Sequence, residues 1–209
     1  EGRLDISLSD IVFRSLDTFK NHGFSKQLIN TKYYDIISNQ ILYFILERYE
    51  NLVKENKSYK DNLFKGLKIN LLKVNLLKLD ENLIYLNSFL GSQDGLKLLN
   101  AIKRVINIID IEKYDNKNIL IKPNESLFNK SEETELFNMV NKYASKDLSN
   151  YKVLMQNLMF LIDPIENFFD NVKINHQDTQ LKKNRLELLF YVNNKINKNV
   201  DFINLIKRN

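Results

Sequence analysis

The chain contains no cysteine and no tryptophan, only two histidines and two prolines, and five glycines in 209 residues. Without cysteine, disulfides and thiolate metal sites are excluded, and an intracellular, cytoplasmic setting is the expectation. The histidines, His22 and His176, stand in different parts of the chain with no carboxylate or histidine at ligand spacing, so no metal centre is expected and His176 reads as an exposed loop residue. No apolar run approaches the roughly 20 residues of a membrane-spanning helix, so no membrane partner is expected. Glu1 to Asp10 lacks a basic segment followed by an apolar core, the mark of a secretory leader. An acidic, polar start without an initiator Met reads as a fragment of something longer.

What is present is helical patterning. Apolar residues recur at intervals of three and four, and the fold class expected is all-α, a helical bundle. Ser9 is placed to cap a helix to about Asn21, with Ile11, Val12, Leu16 and Phe19 inward and Gly23 as its stop. From Tyr33 to Asn56 the spacing puts Ile37, Ile41, Phe44, Ile45, Arg48, Tyr49 and Leu52 on one side. Shorter series follow over Leu63–Ile69 and Leu71–Leu79, and Asp80 then opens a helix carrying Leu83, Leu86 and Leu90 that ends at Gly91. A helix from Asp94 buries Leu96, Leu99, Ile102, Val105, Ile106 and Ile109 and turns Lys97, Lys103 and Arg104 to solvent.

Between Asp110 and Asn129 the periodicity lapses, the best place for a boundary. Ser131 with Glu132 to Glu135 opens a helix to about Ala144. Leu154, Leu158, Leu161 and Ile162 form the next inward stripe, and Pro164 then marks a first helical turn or a kink. A helix carries Ile165, Phe168, Phe169 and Val172 to Ile174, a polar turn spans Asn175–Asp178, and a last long helix holds Leu181, Leu186, Leu189, Phe190 and Val192. A short one covers Asp201–Ile206. The organisation expected is N-terminal helices over 1–60, the tail of an upstream helical domain, and a bundle over 61–209 with a loop around 110–130.

No nucleophile–base pair, carboxylate pair with a metal ligand or phosphate loop is found, so no catalytic residue is expected. Gly91-Ser92-Gln93-Asp94-Gly95 has neither the Lys nor the strand of a phosphate loop and reads as a turn. Asp163 and Glu166 fall at helical spacing, read as a cap and a surface residue. Lysine and arginine exceed aspartate and glutamate by 31 to 26, a net charge of +5 that bears on nucleic acid only where the charges cluster. They cluster twice: Lys103, Arg104 and Asn107 on one helix, and Lys173, Asn175, Lys182, Lys183, Asn184 and Arg185 around a later turn. Cationic side chains neutralise phosphates, and arginine and asparagine engage unpaired bases, so these nine residues are the RNA-binding candidates. A solvated helix face is the competing reading.

Two stretches carry a family resemblance. The first is Leu86-Asn87-Ser88-Phe89-Leu90-Gly91-Ser92-Gln93-Asp94-Gly95-Leu96-Lys97-Leu98-Leu99, followed by Ala101-Ile102-Lys103-Arg104 and Asn107-Ile108; the second is Asp163-Pro164-Ile165-Glu166-Asn167-Phe168-Phe169-Asp170-Asn171-Val172 with Leu181 and Asn184-Arg185-Leu186 beyond it. Together they resemble the C-terminal anticodon-binding (DALR-like) region of the bacterial glycyl-tRNA synthetase β subunit, with Ile102 where that family has tyrosine and Glu166 where it has aspartate.

The resemblance implies a bundle of the class I synthetase anticodon-binding type, preceded by a helical segment. It implies a fragment, itself non-catalytic, of a glycine–tRNA ligase, gripping the anticodon arm of glycine-specific tRNA. ATP and Mg²⁺ would be used by the α subunit, reached through the full-length β subunit, and the fragment itself would hold no cofactor. Asn184 and Arg185 then either face RNA or brace the turn, Arg185 in the second case pairing with Asp170 or Asp178. The alternatives are an anticodon-binding bundle of arginyl or cysteinyl type and a helical protein-interaction scaffold.

Overall fold

A computed structural model describes residues 6–22, 31–55, 59, 62–67, 69, 74–112, 122–144 and 150–206. Among them the chain forms nine α-helices and two short 3₁₀ turns and no strand, only an isolated antiparallel bridge between Leu67 and Val200. The all-α expectation is met.

Helix α1, Leu8–Asn21, is capped by Ser7, whose Oγ accepts from the Asp10 amide at 3.1 Å while the Asp10 carboxylate accepts from the Ser7 amide. Ser9, read as the cap, lies inside the first turn and is buried. The inward stripe is Leu8, Val12 and half-buried Leu16; Ile11 and Phe19 face solvent. Gly23 lies outside the described residues.

Helix α2, Thr31–Glu55, buries Ser38, Leu42, Leu46 and Val53. That stripe is rotated from the expected one: Ile41, Ile45 and Tyr49 are half-buried, while Phe44 and Leu52 are exposed. With apolar residues on most of its circumference, α2 has several stripes of similar hydrophobicity, and packing against a neighbour selects one. The α1–α2 pair joins the rest through Leu8 N–H to the Val74 carbonyl (2.7 Å), Asn75 Nδ2 to the Ile6 carbonyl (3.2 Å) and Tyr49 Oη to Asp80 Oδ1 (2.8 Å).

After the 3₁₀ turn Phe64–Gly66, helix α3 spans Leu76–Gly91. Its cap is Asn75, not Asp80: the Asn75 Oδ1 accepts from the Leu77 and Lys78 amides. Leu83, Leu86 and Leu90 are buried as expected. Ser92 links α3 to α4, Gln93–Ile111, its Oγ taking the Gly95 amide at 3.1 Å. A Cβ on Gly95 would overlap the Phe89 carbonyl oxygen, so only glycine permits this tight corner. Inside α4 lie Leu98, Ala101, Ile102, Val105 and Ile106, whereas Leu96 is exposed. The buried Ile102 is a core position, so isoleucine there costs no exposed ring.

The second half comprises α5 (Ser131–Tyr143), α6 (Tyr151–Met159), α7 (Ile162–Asn171), α8 (Thr179–Ile196) and α9 (Phe202–Ile206). Pro164 sits in the first turn of α7, where its missing N–H is harmless. Asp163 lies in the same turn, with Leu161 at the cap. Helix α4 packs against α3, α6, α7, α8 and α9, which makes it the central helix; α5 packs against α7 and α8. The tail returns to the start of the bundle: Asp201 N–H bonds the Gly66 carbonyl at 2.8 Å, Asn62 Nδ2 donates to the Leu205 carbonyl, and α9 lies on the Phe64–Gly66 turn.

Candidate nucleic-acid interface

The outward face of central α4 carries Lys97, Lys103, Arg104 and Asn107, all exposed because the opposite face is committed to the core. Where α4 meets α7, the Arg104 guanidinium lies over the Phe169 ring, 4.6 Å from its centroid, with Nη2 3.4 Å from Asp170 Oδ1. The pair is solvent-exposed and adds little stability. Its effect is orientational: a guanidinium stacked on a ring has a fixed plane, and its remaining N–H donors point along that plane toward solvent. Phe169 is half-buried beneath it, so Phe168 and Val172, not Phe169, form the inner ridge of this segment.

Beyond Asp170 the chain turns through Lys173 and Asn175, both exposed, before Asp178 caps α8 by accepting from the Gln180 amide at 2.8 Å and the Leu181 amide. His176 is half-buried in this turn, Nδ1 accepting from the Asp178 amide at 3.1 Å. Lys182 joins the end of α4 through Glu112 at 2.9 Å, and Lys183 lies 3.8 Å from Glu187 on its own helix. Among the described residues no carboxylate lies within ion-pair distance of Lys103 or Lys173. The α4 face and the α7–α8 turn therefore adjoin, and Lys103, Arg104, Asn107, Lys173, Asn175, Lys182 and Lys183 sit on their outward sides.

Asn184 and Arg185 do not join them; they are 2% and 3% exposed. Asn184 Oδ1 accepts from the Asn124 amide at 2.7 Å and its Nδ2 donates to the Asn124 carbonyl at 3.0 Å. Arg185 gives Nε to Glu133 Oε1 (3.0 Å), Nη1 to the Lys173 carbonyl (2.8 Å) and Nη2 to Asn129 Oδ1 (2.7 Å). Glu133, itself 0% exposed, uses its other oxygen to take the Asn129 and Lys130 amides at 3.0 Å each. These consecutive residues of α8 thus hold both ends of the 122–130 strap, and Arg185 also fixes the backbone under Lys173. Their role is to brace the turn, and the acid partner of Arg185 is Glu133, because Asp170 and Asp178 are engaged with Arg104 and the α8 cap. The sequence did carry a signal for Glu133: it stands at the third position of α5, where a carboxylate reaches back to amides ahead of the helix.

Ahead of the brace, the Glu125 carboxylate hydrogen-bonds Lys122 and holds its ammonium above the usual lysine pKa. Among the described residues no group of three metal-ligating side chains occurs, and no helix is long and apolar enough to cross a membrane.

A family model described as the DALR anticodon binding domain matches residues 98–206, from early α4 through α9. The chain belongs to this family. The DALR span contains the exposed α4 face from Lys103 onward, the strap, the Glu133–Arg185 brace and the α7–α8 turn. The chain is also similar to proteins named glycine–tRNA ligase beta subunit. That of Rickettsia akari (strain Hartford) is 33% identical over 97% of this chain and 28% of its own length. That of Thermodesulfovibrio yellowstonii is 33% identical over 73% of the chain and 22% of its own length. That of Rickettsia bellii (strain OSU 85-389) is 39% identical over 50% and 15%. The chain spans about a quarter of the length of the Rickettsia akari protein, and that similarity takes in the α1–α2 pair as well as the DALR span.

Proposed function

We propose that this chain is the tRNA-binding part of a glycine–tRNA ligase β subunit, holding the anticodon arm of glycine-specific tRNA in the cytoplasm while an α subunit performs ATP- and Mg²⁺-dependent glycylation. The observation that carries the reading is that the DALR span places Lys103, Arg104, Asn107, Lys173 and Asn175 outward on two adjoining elements. Arg104, held flat on Phe169, suits a phosphate or a base edge; the lysines suit the backbone. The brace beneath Lys173 limits the backbone freedom lost when that turn engages a ligand. Residues 61–209 form the RNA-gripping bundle, and residues 1–60 belong to helices that continue a preceding domain. The bundle itself takes no cofactor.

Titration with glycine-specific tRNA, the same tRNA with an altered anticodon and an unrelated tRNA, at two salt concentrations, tests this. Preference for the intact anticodon is expected. Replacing Lys103 and Arg104 together by alanine should weaken binding and reduce the log–log salt slope by about 1 to 2. Preference for an arginine or cysteine tRNA would transfer the assignment to another synthetase, and absence of salt-sensitive binding would overturn it in favour of a scaffold.

A further inference from the structure

At the corner between α6 and α7 two residues turn the chain, and they differ sharply in environment. Leu161 is fully buried, whereas Phe160 leaves 54% of its surface in solvent. The Phe160 ring is stacked on Tyr143, the last residue of α5, with centroids 4.6 Å apart and planes inclined by 23°. The other described ring pairs lie at 5.5 Å or more. Lys142 Nζ stands 4.9 Å from the centroid of the same tyrosine ring and is exposed. Packing explains Tyr143, which is half-buried; it does not explain an outer phenyl held parallel to it in water.

We propose that Phe160, backed by Tyr143 and flanked by Lys142, is a stacking platform for an unpaired base of bound RNA. A parallel ring pair presents a flat, rigid π face at the height of a base, and a neighbouring ammonium meets the adjoining phosphate. The surroundings favour a nucleotide over an apolar protein face, because the last turn of α6 that leads into the ring carries an exposed Gln156 and a half-exposed Asn157, side chains able to hydrogen-bond a base edge. Asp163, three residues on, repels phosphate, so the ring takes the base and Lys142 the backbone. Helix α7 separates this platform from the Arg104–Phe169 contact at its other end. Its 10 residues span about 15 Å, which about four nucleotides cover at stacked spacing. The inference rests on the tRNA-binding reading above and adds a second contact, uncharged in its main part.

The test uses the whole 209-residue chain with glycine-specific tRNA carrying 2-aminopurine at each unpaired anticodon-loop position in turn. Quenching of one probe by the unaltered protein is expected, lost in Phe160→Ala and Phe160→Leu and kept in Phe160→Trp. Affinity should fall about 5- to 150-fold in the alanine and leucine variants with the salt slope unchanged, and the thermal midpoint should hold because the ring is exposed. If the unaltered protein binds tRNA and Phe160→Leu binds equally with the same probe signal, the platform is overturned and the tRNA reading stands. If the unaltered protein binds no tRNA, both are overturned.

Discussion

Along α1 and α2 the side chains of Ile11, Phe19, Tyr33, Ile36, Tyr43, Phe44 and Leu52 face solvent, whereas from α4 to α9 the large exposed apolar residues among those described are Leu96, Ile111, Val153 and Phe160. The two regions are also secured differently. The helix pair packs one stripe, Leu8, Val12, Leu42, Leu46 and Val53, into the core and adds a few hydrogen bonds to α3 and the segment before it; the bundle is closed by a buried ion pair with every charged atom matched to a donor or acceptor across three segments. A hydrogen bond contributes about 1 kcal/mol net, whereas removing one member of a buried ion pair costs several. The pair α1–α2 is therefore the part that opens first, and the bundle is the unit whose loss is global.

The sharpest way to break this contrast is Arg185→Ala, which leaves the Glu133 carboxylate buried with its cation gone and the Asn129 end of the strap untied. A loss of about 3 to 5 kcal/mol in urea unfolding is expected, with one cooperative transition. Leu42→Ala, at a fully buried position of α2, should cost about 2 to 5 kcal/mol, but of the local opening. Hydrogen exchange should then accelerate in α1 and α2 while α4, α7 and α8 keep their protection. Gly95→Ala, forced against the Phe89 carbonyl, should lower bundle stability by about 1 to 3 kcal/mol.

Alkaline titration should separate the regions more gently. Burial, reinforced by the Asp80 hydrogen bond, raises the Tyr49 phenol above its ordinary 10.0, and burial with Asp17 raises Tyr34. Above pH 10 the unfolded phenols release protons that the folded ones retain, so docking of α2 weakens as pH rises from there. Tyr49→Phe should flatten that dependence, read by exchange in α2. Smallest of all, Phe44→Ala should shift stability by no more than about 0.5 kcal/mol while lowering binding of a hydrophobic dye, because the ring is 55% exposed.

How much was legible in advance follows the same divide. In α3 a single clean stripe, Leu83, Leu86 and Leu90, left one choice of inward face, and it is the buried one; in α4 the expected Ile102, Val105 and Ile106 are buried, but Leu96 faces solvent and Leu98 and Ala101 take the inner positions of the first turns. In α2 the periodicity offered competing stripes, and neighbouring helices decided among them. Caps slipped by a few residues wherever two polar residues competed, as with Ser7 and Ser9 or Asn75 and Asp80. The exposed basic residues of α4 could be placed from helical spacing alone. Asn184 and Arg185 could not, because their partners lie 52 to 60 residues away across the lapse in periodicity, and a long-range pairing leaves no local pattern.

The return of the tail to the 62–67 segment has a mechanical meaning. With Asp201 bonded to Gly66, Val200 bridged to Leu67 and Asn62 holding the carbonyl of Leu205, the bundle enters and leaves at a single corner. A tension drawn between residues 62 and 206 falls first on this clasp and only afterwards on α3 to α8, so the helices that carry the outward lysines stay unloaded until the corner gives way.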